Sequence, residues 1–495
     1  MDIASAKEQI KNTVQIYLQK DALGHYRMPL VHQRPVFLKG APGLGKTAIM
    51  QQVAEELNLG LVSYSMTHHT RQSAIGLPVI VEKEYAGKTY QVSEYTMSEI
   101  IASIYDCMRE TGHQEGILFL DEINCVSETL APSMLLFLQY KIFGGHQIPE
   151  GWVVVTAGNP PRFNKSVREF DAATRDRLKM LEIEPNYPAW KKYALENQVS
   201  RCVISYLDIR QEDFYKVETT VDGLTVVTPR AWEDLSEILQ YHEELELPVS
   251  EALTTQYLQN KQVARDFAIY YELYQKYRQV YRVEELLNGQ WDEDTLLQAR
   301  SAKMDEKMSL VSLLLEAVFD GMSRCTTRHE ALALCVGTLK EQKAELAKPG
   351  DTLTALAAME DQWRNIAEKV SAAKKRTYLD LAVMTGSWHE KLSGASAADI
   401  PFKVLGGLYK EEVSTLQHQV AAVQAQIGNM LKFLEEAFGK GVELSMAVND
   451  LTVTPAATAF IGQFLSTDYF NASRELLLHR QEEQLLRQID LTGMI

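Results

Sequence analysis

The sequence predicts an α/β fold built on a mostly parallel sheet, followed by two mainly helical regions. Three observations carry that expectation. Short apolar runs alternate with amphipathic stretches over residues 1 to about 183, the pattern of βα units. A glycine-rich turn, "GAPGLGKT" at 40–47, stands between an apolar run and a helical stretch. From about 184 onward the periodicity becomes helical, broken by few β-favouring runs.

At 495 residues the chain exceeds what one hydrophobic core normally supports, so more than one domain is expected. The expected boundaries give an α/β domain over 1–183, a mainly helical domain over 184–295 and a helical C-terminal domain over 296–495. In the first, "PVFLKG" (35–40), "LGLVSYS" (59–65), "GILFLDE" (116–122) and "GWVVVTAGN" (151–159) are the predicted strands. Each leads into a polar or glycine-bearing turn, and ligands collect at the carboxyl ends of parallel strands. Between the second and third, "GLPVIVEKEYAGKTYQVSEYT" reads as a hairpin around "EYAGK". A helix at about 97–111 follows, with Ile100, Ile104 and Met108 on one face.

The second region contains "FYKVETTVDGLTVVTPR", where Asp222 and Gly223 predict a tight hairpin turn. In the third, the breaker-rich "AKPGDT" (347–352) and "LSGASAADIP" (392–401) separate long helices. Val413, Leu416, Val420, Val423, Ile427, Met430 and Leu434 recur three and four apart until Gly439. That heptad suits either a coiled-coil dimer or a helical hairpin packed on itself. Ala421, Ala422 and Ala425 beside the stripe permit close approach of more than one neighbour and favour the intramolecular reading.

A hydrophobic fraction of 46% and a charged fraction of 23% fit an ordinary folded protein without low-complexity tracts. The net charge of −16, with a pI near 5.3, disfavours non-specific attraction to nucleic-acid backbones and anionic membranes. Cys107, Cys125, Cys202, Cys325 and Cys335 are scattered without metal-ligand spacing, as reduced thiols of a cytoplasmic protein would be. The opening "MDIASAKEQIKNTVQIYLQK" lacks the apolar stretch of a signal peptide. No run reaches the roughly 18 apolar residues of a membrane span, so no direct membrane contact is expected.

The chemistry begins at the glycine-rich turn. Gly40, Ala41, Pro42, Gly43, Leu44, Gly45, Lys46, Thr47 and Ala48 fit G-x-x-x-x-G-K-[ST] and form the candidate phosphate-binding loop. Its glycines let backbone N–H groups face a polyphosphate, Lys46 supplies a point charge, and Thr47 can bind Mg²⁺. "ILFLDE" then ends an apolar strand in two acids. Asp121 is placed to hold the Mg²⁺ shell and Glu122 to polarise an attacking water. Such a pair can also cap a helix, but after a phosphate loop hydrolysis is the stronger reading. Asn159, ending "GWVVVTAGN", admits two readings: a contact to the γ-phosphate or the water, or turn chemistry before Pro160 and Pro161.

Taken together, "GAPGLGKT", "LFLDEIN", "VTAGNPP", "FDAATRDRL" and "TPRAW" resemble, in order and spacing, the AAA+ ATPases and within them the MoxR family. The resemblance covers roughly residues 1–290. It implies an AAA+ P-loop core with a helix-2 insert hairpin at about 76–96, a second hairpin within 141–152, and a helical lid. It also implies ATP and Mg²⁺ as cofactors. Lys46 and Thr47 match the Walker A pair, Asp121 and Glu122 the Walker B pair, Asn159 sensor 1, and Arg230 in "TPRAW" sensor 2. Arg177 in "TRDRL" matches an arginine finger that reaches a neighbouring subunit's nucleotide. Leu178 stands where the family has Phe, and Arg175 lies two residues upstream, so both arginines are candidates. The implied assembly is a homo-oligomeric ring, hexameric in such ATPases. Its implied work is chaperone-like remodelling of a protein client beside a von Willebrand factor A domain partner. The alternative is a motor on nucleic acid, which would need basic residues in the hairpin. Lys83 and Lys88 there are offset by Glu82, Glu84 and Glu94, so nucleic acid is not the expected partner.

Other features carry less. Adjacent His68 and His69 lack an accompanying carboxylate or Cys and do not predict a metal site. Phe267, Tyr270, Tyr274, Tyr277 and Tyr281, flanked by Lys276, Arg278 and Arg282, suit helix packing better than base stacking. The basic cluster "AAKKRTY" at 372–378 reads as a solvated face.

Overall fold

A computed structural model of the protein describes residues 1–68, 74–163, 166–220, 223–341, 352–368, 370, 372–393, 402–464 and 469–473. His69, Asp222, residues 347–351 of the first breaker stretch and 394–401 of the second lie outside the described residues. The chain divides into two units by contact, one comprising Met1–Tyr193 with Arg210–Arg265, the other Ala194–Ile209 with Asp266–Ile495.

The first unit opens with α1 (Ile3–Tyr17), whose N-cap Asp2 accepts from the Ser5 N–H at 2.8 Å. Its sheet is formed by β1 (Val36–Gly40), β2 (Gly60–Ser65), β5 (Gly116–Asp121), β8 (Trp152–Gly158) and β9 (Lys179–Ile183), in the order β2-β5-β8-β1-β9 with every pairing parallel. The first four are the predicted strands. The edge strand β9 is additional: "KMLEI" is short and mixes half-buried Lys179 and exposed Glu182 into its apolar residues, so it lacks the unbroken apolar run of the inner strands.

Both sheet faces are covered, which explains the continuous apolar runs. On β5, Ile117 and Phe119 join the core under α1 and α2 (Lys46–Leu57), with Ile10, Val14, Ile49 and Val53. Leu118 and Leu120 point to the other core, against Ile100 and Ile104 of α3 (Glu99–Thr111) and Phe137 of α4 (Ala131–Tyr140). Ser98 caps α3 by accepting from the Ile100 N–H at 3.2 Å, and Gly112 ends it in the left-handed region.

The predicted insert is an antiparallel hairpin of β3 (Pro78–Tyr85) and β4 (Lys88–Tyr95), exposed on both faces and turning at Ala86 and Gly87. A short pair, β6 (Ile142–Phe143) and β7 (His146–Gln147), precedes β8. After α5 (Ala172–Asp176) and the greater part of α6 (Tyr187–Glu196), whose residues through Tyr193 belong to it, the same unit takes in the hairpin β10 (Lys216–Thr220) with β11 (Gly223–Val227). Two helices, Pro229–Glu244 and Glu251–Leu258, follow it.

The second unit is helical. Its longest helices are Met304–Glu341 and Phe402–Phe438, joined by Ala372–Ser393 through Arg328, which pairs with Asp380 at 2.9 Å and Glu412 at 2.6 Å. The heptad residues Leu416, Val423, Ile427, Met430 and Leu434 are buried within this unit, as the intramolecular reading expects. Phe267, Tyr270, Tyr274 and Tyr281 are buried too, and the Tyr270 hydroxyl bonds Ser205 at 2.7 Å and Ser309 at 2.9 Å. The aromatic stripe is therefore packing. Lys374, Lys375 and Arg376 are exposed. All five cysteines are free thiols, and no described helix is long and apolar enough to cross a membrane.

Candidate nucleotide site

The strand order sets β2, β5, β8 and β1 side by side, so the residues leaving their carboxyl ends share one edge of the sheet. Four of the sequence motifs meet there. β1 runs into the glycine loop, in which Gly43 (φ +76°) and Gly45 (φ +83°) occupy the left-handed region that side chains avoid. Gly43 is required for a second reason. A Cβ on it would lie 2.6 Å from Cβ and Oγ1 of Thr228, and its carbonyl accepts the Arg230 N–H at 3.2 Å. The N-cap of α2 is Gly45, which supplies no side-chain acceptor, so the first N–H groups of that helix face the loop without a capping oxygen.

Lys46 opens α2 and is buried. Its Nζ donates to the carbonyls of Gly40 at 2.9 Å and Ala41 at 2.7 Å, and to Oδ1 of Asn159 at 3.0 Å. Burial pushes this ammonium down to about 8, a shift that Asp121 and Glu122 oppose and Arg230 reinforces. Thr47, one residue on, donates its hydroxyl to Oδ2 of Asp121 at 2.9 Å. The other carboxylate oxygen of Asp121 accepts the Glu122 N–H at 2.8 Å. Glu122 has a left-handed backbone (φ 54°, ψ 35°), a rare conformation for a residue with a side chain, and its carboxylate accepts from Ser65 Oγ at 3.4 Å.

The structure thus brings together Lys46, Thr47, Asp121, Glu122 and Asn159, with Arg230 close enough to act electrostatically on Lys46. Arg175 on α5 and Arg177 at its C-cap are exposed and stand apart: no hydrogen bond or ion pair joins either side chain to this group among the described residues. Asn159, which sequence alone leaves between two readings, has its side chain on Lys46 rather than spent on a turn.

Residues 35–178 match the family model of the AAA domain, dynein-related subfamily. This segment is an AAA domain. The match runs from the start of β1 through both exposed arginines, and the five-stranded parallel sheet with its covering helices is the AAA+ fold. No curated protein matches the chain.

The residues of the AAA domain fit the nucleotide that such domains bind. The uncapped start of α2 offers N–H donors to phosphate, and Thr47 and Asp121 place two hard oxygen donors together, the chemistry Mg²⁺ prefers. Sequence reading passed over three residues at this site. Ser65 contacts Glu122 and Thr228 packs on Gly43, and nothing local in "VSYS" or "VVTPR" singles them out. Asn124 is only 6% exposed and donates from Nδ2 to the Asn159 carbonyl at 2.8 Å. Its signal was an amide in an otherwise apolar stretch just after the acid pair of "LFLDEIN".

Proposed function

We propose that the chain is a MoxR-like AAA+ ATPase that couples ATP hydrolysis, in a homo-oligomeric ring of six subunits, to chaperone-like remodelling of a protein client in the cytoplasm. A partner with a von Willebrand factor A domain presents that client, as the family resemblance implies. By role, residues 1–183 bind the nucleotide, 184–295 form the lid bearing Arg230, and 296–495 are a helical region for contacts beyond the motor. One observation supports this most: Lys46, Thr47, Asp121, Glu122 and Asn159 converge at neighbouring strand ends, while Arg175 and Arg177 stand exposed outside that group.

Each side chain then has a task. Lys46 gives the phosphates a positive charge that burial has stripped of water. Thr47 and Asp121 would hold Mg²⁺ through their oxygens, and the bound ion would supply positive charge against that of the polyphosphate. Glu122 accepts the proton of the attacking water, and Asn159 orients that water by its amide. Arg230 senses the γ-phosphate from the lid. Arg175 or Arg177 completes the site of the next subunit, where a permanently charged guanidinium meets the charge developing on the transferred group.

The exposed hairpin of β3 and β4 transmits motion to the client. Ile80, Tyr85 and Tyr90 project from it, and Lys83 is paired with Glu94, so its surface suits a polypeptide better than a phosphate backbone. The test is affinity capture by the Glu122→Gln variant held in ATP, with and without nuclease. Recovery of a von Willebrand factor A domain protein, unchanged by nuclease, is the expected result. Nucleic acid that leaves on nuclease treatment, with no protein retained, would replace this reading with a nucleic-acid motor.

A further inference from the structure

We propose that Asn124 is a positioning residue that locks Asn159 onto the phosphate loop and so sets the rate of hydrolysis; the inference rests on the ATPase reading above. Asn124 lies in the single turn Ile123–Cys125 that follows Glu122, and it is buried. Three bonds converge around it. Its Nδ2 donates to the Asn159 carbonyl at 2.8 Å, its own carbonyl accepts the Arg168 N–H at 2.9 Å, and the turn is closed by the Cys125 N–H on the Glu122 carbonyl at 2.8 Å. One residue therefore ties the turn bearing Glu122 to the end of β8 and to the segment that leads to Arg175 and Arg177.

The orientation of the amide is dictated by chemistry. The Asn159 carbonyl can only accept, so the NH₂ end must face it; a flipped amide would set two oxygens against each other. The remaining oxygen, Oδ1, is buried without a hydrogen-bond partner and is wedged against Gly158, where a Cβ would come within 2.3 Å of it. A buried polar atom left unpaired is costly, and the site tolerates it while the NH₂ group holds the Asn159 peptide. Through that peptide, Asn124 fixes the direction of the Asn159 side chain, whose Oδ1 accepts from Lys46. Asn124 touches none of the phosphate-loop residues by its side-chain bonds, so its effect belongs to kcat rather than to nucleotide affinity.

N124D tests this. It keeps the shape and the main-chain bond to Arg168 but replaces the NH₂ donor with an acceptor. Steady-state ATP hydrolysis, the Kd for a fluorescent ATP analogue and Tm are measured for wild type, N124D, Asn124→Ala and Glu122→Gln. The expected result is a Kd within about threefold of wild type and a kcat lowered at least tenfold in both Asn124 variants. Asn124→Ala, which buries no charge, carries the test if N124D does not fold. Wild-type kcat in either folded Asn124 variant overturns the inference while leaving the ATPase reading intact. Loss of affinity and turnover together also overturns it, because Asn124 would then shape the loop generally. A wild type that binds the nucleotide without hydrolysing it defeats the ATPase reading and this inference with it.

Discussion

Lys46 illustrates how the site prepares itself for an anion. Burial holds its ammonium down to about 8, and three acceptor oxygens are its compensation. Incoming phosphates supply the negative charge that the buried ammonium lacks, so binding raises its pKa. Above pH 8 the free protein has lost this proton and the complex must regain it. ATP affinity is therefore expected to fall as pH rises above about 8, by up to tenfold per pH unit, until the pKa of the complex is reached. Titration of a fluorescent ATP analogue from pH 7 to 10 checks this, and a flat profile would contradict it. Lys46→Arg, which cannot lose its charge, removes the slope if it binds at all. Glu122 shows a different kind of preparation, since its left-handed backbone turns the chain sharply at the strand end, directly after Asp121.

At the scale of elements, the exposed hairpin is separable from the nucleotide site. β3 and β4 bury almost nothing, and the Thr96 N–H on the Leu77 carbonyl, at 2.9 Å, closes the hairpin's base. Replacing residues 78–95 with a short Gly/Ser linker is expected to shift Tm by less than about 3 °C and leave ATP affinity unchanged. A calorimetric scan and a binding titration decide it; loss of nucleotide binding would show that the hairpin supports the site. The hairpin was legible because β-favouring residues flank a glycine turn, and the four inner strands because burial on both faces demands unbroken apolar runs. β9 was not, because "KMLEI" mixes exposed Glu182 with a half-buried Lys179, as an edge strand can. The site shows the same division. On the proposed reading, the glycines, Lys46 and the acid pair answer to phosphate and metal chemistry, which shows in the sequence as a spacing. Asn124 and Thr228 act through contacts with residues 35 and 185 positions away, which no local pattern encodes.

At the scale of the whole molecule, the central claim is that the site described above is incomplete within one chain. On the proposed function, the groups that bind ATP and activate water gather at the sheet edge, whereas Arg175 and Arg177 are exposed and joined to none of them by a hydrogen bond or ion pair among the described residues. A ring of head-to-tail contacts places such arginines at the next subunit's site. The measurement that tests this most directly mixes two inactive proteins, Lys46→Ala and the double variant Arg175→Ala/Arg177→Ala, and follows ATP hydrolysis against mixing ratio. In an equal mixture roughly a quarter of interfaces pair an intact Lys46 with an intact arginine from the neighbour. The account expects each protein alone to be inactive and the mixture to regain activity in about that proportion. Full activity of the arginine double variant alone, or no recovery at any ratio in assemblies proven to be mixed, would contradict it.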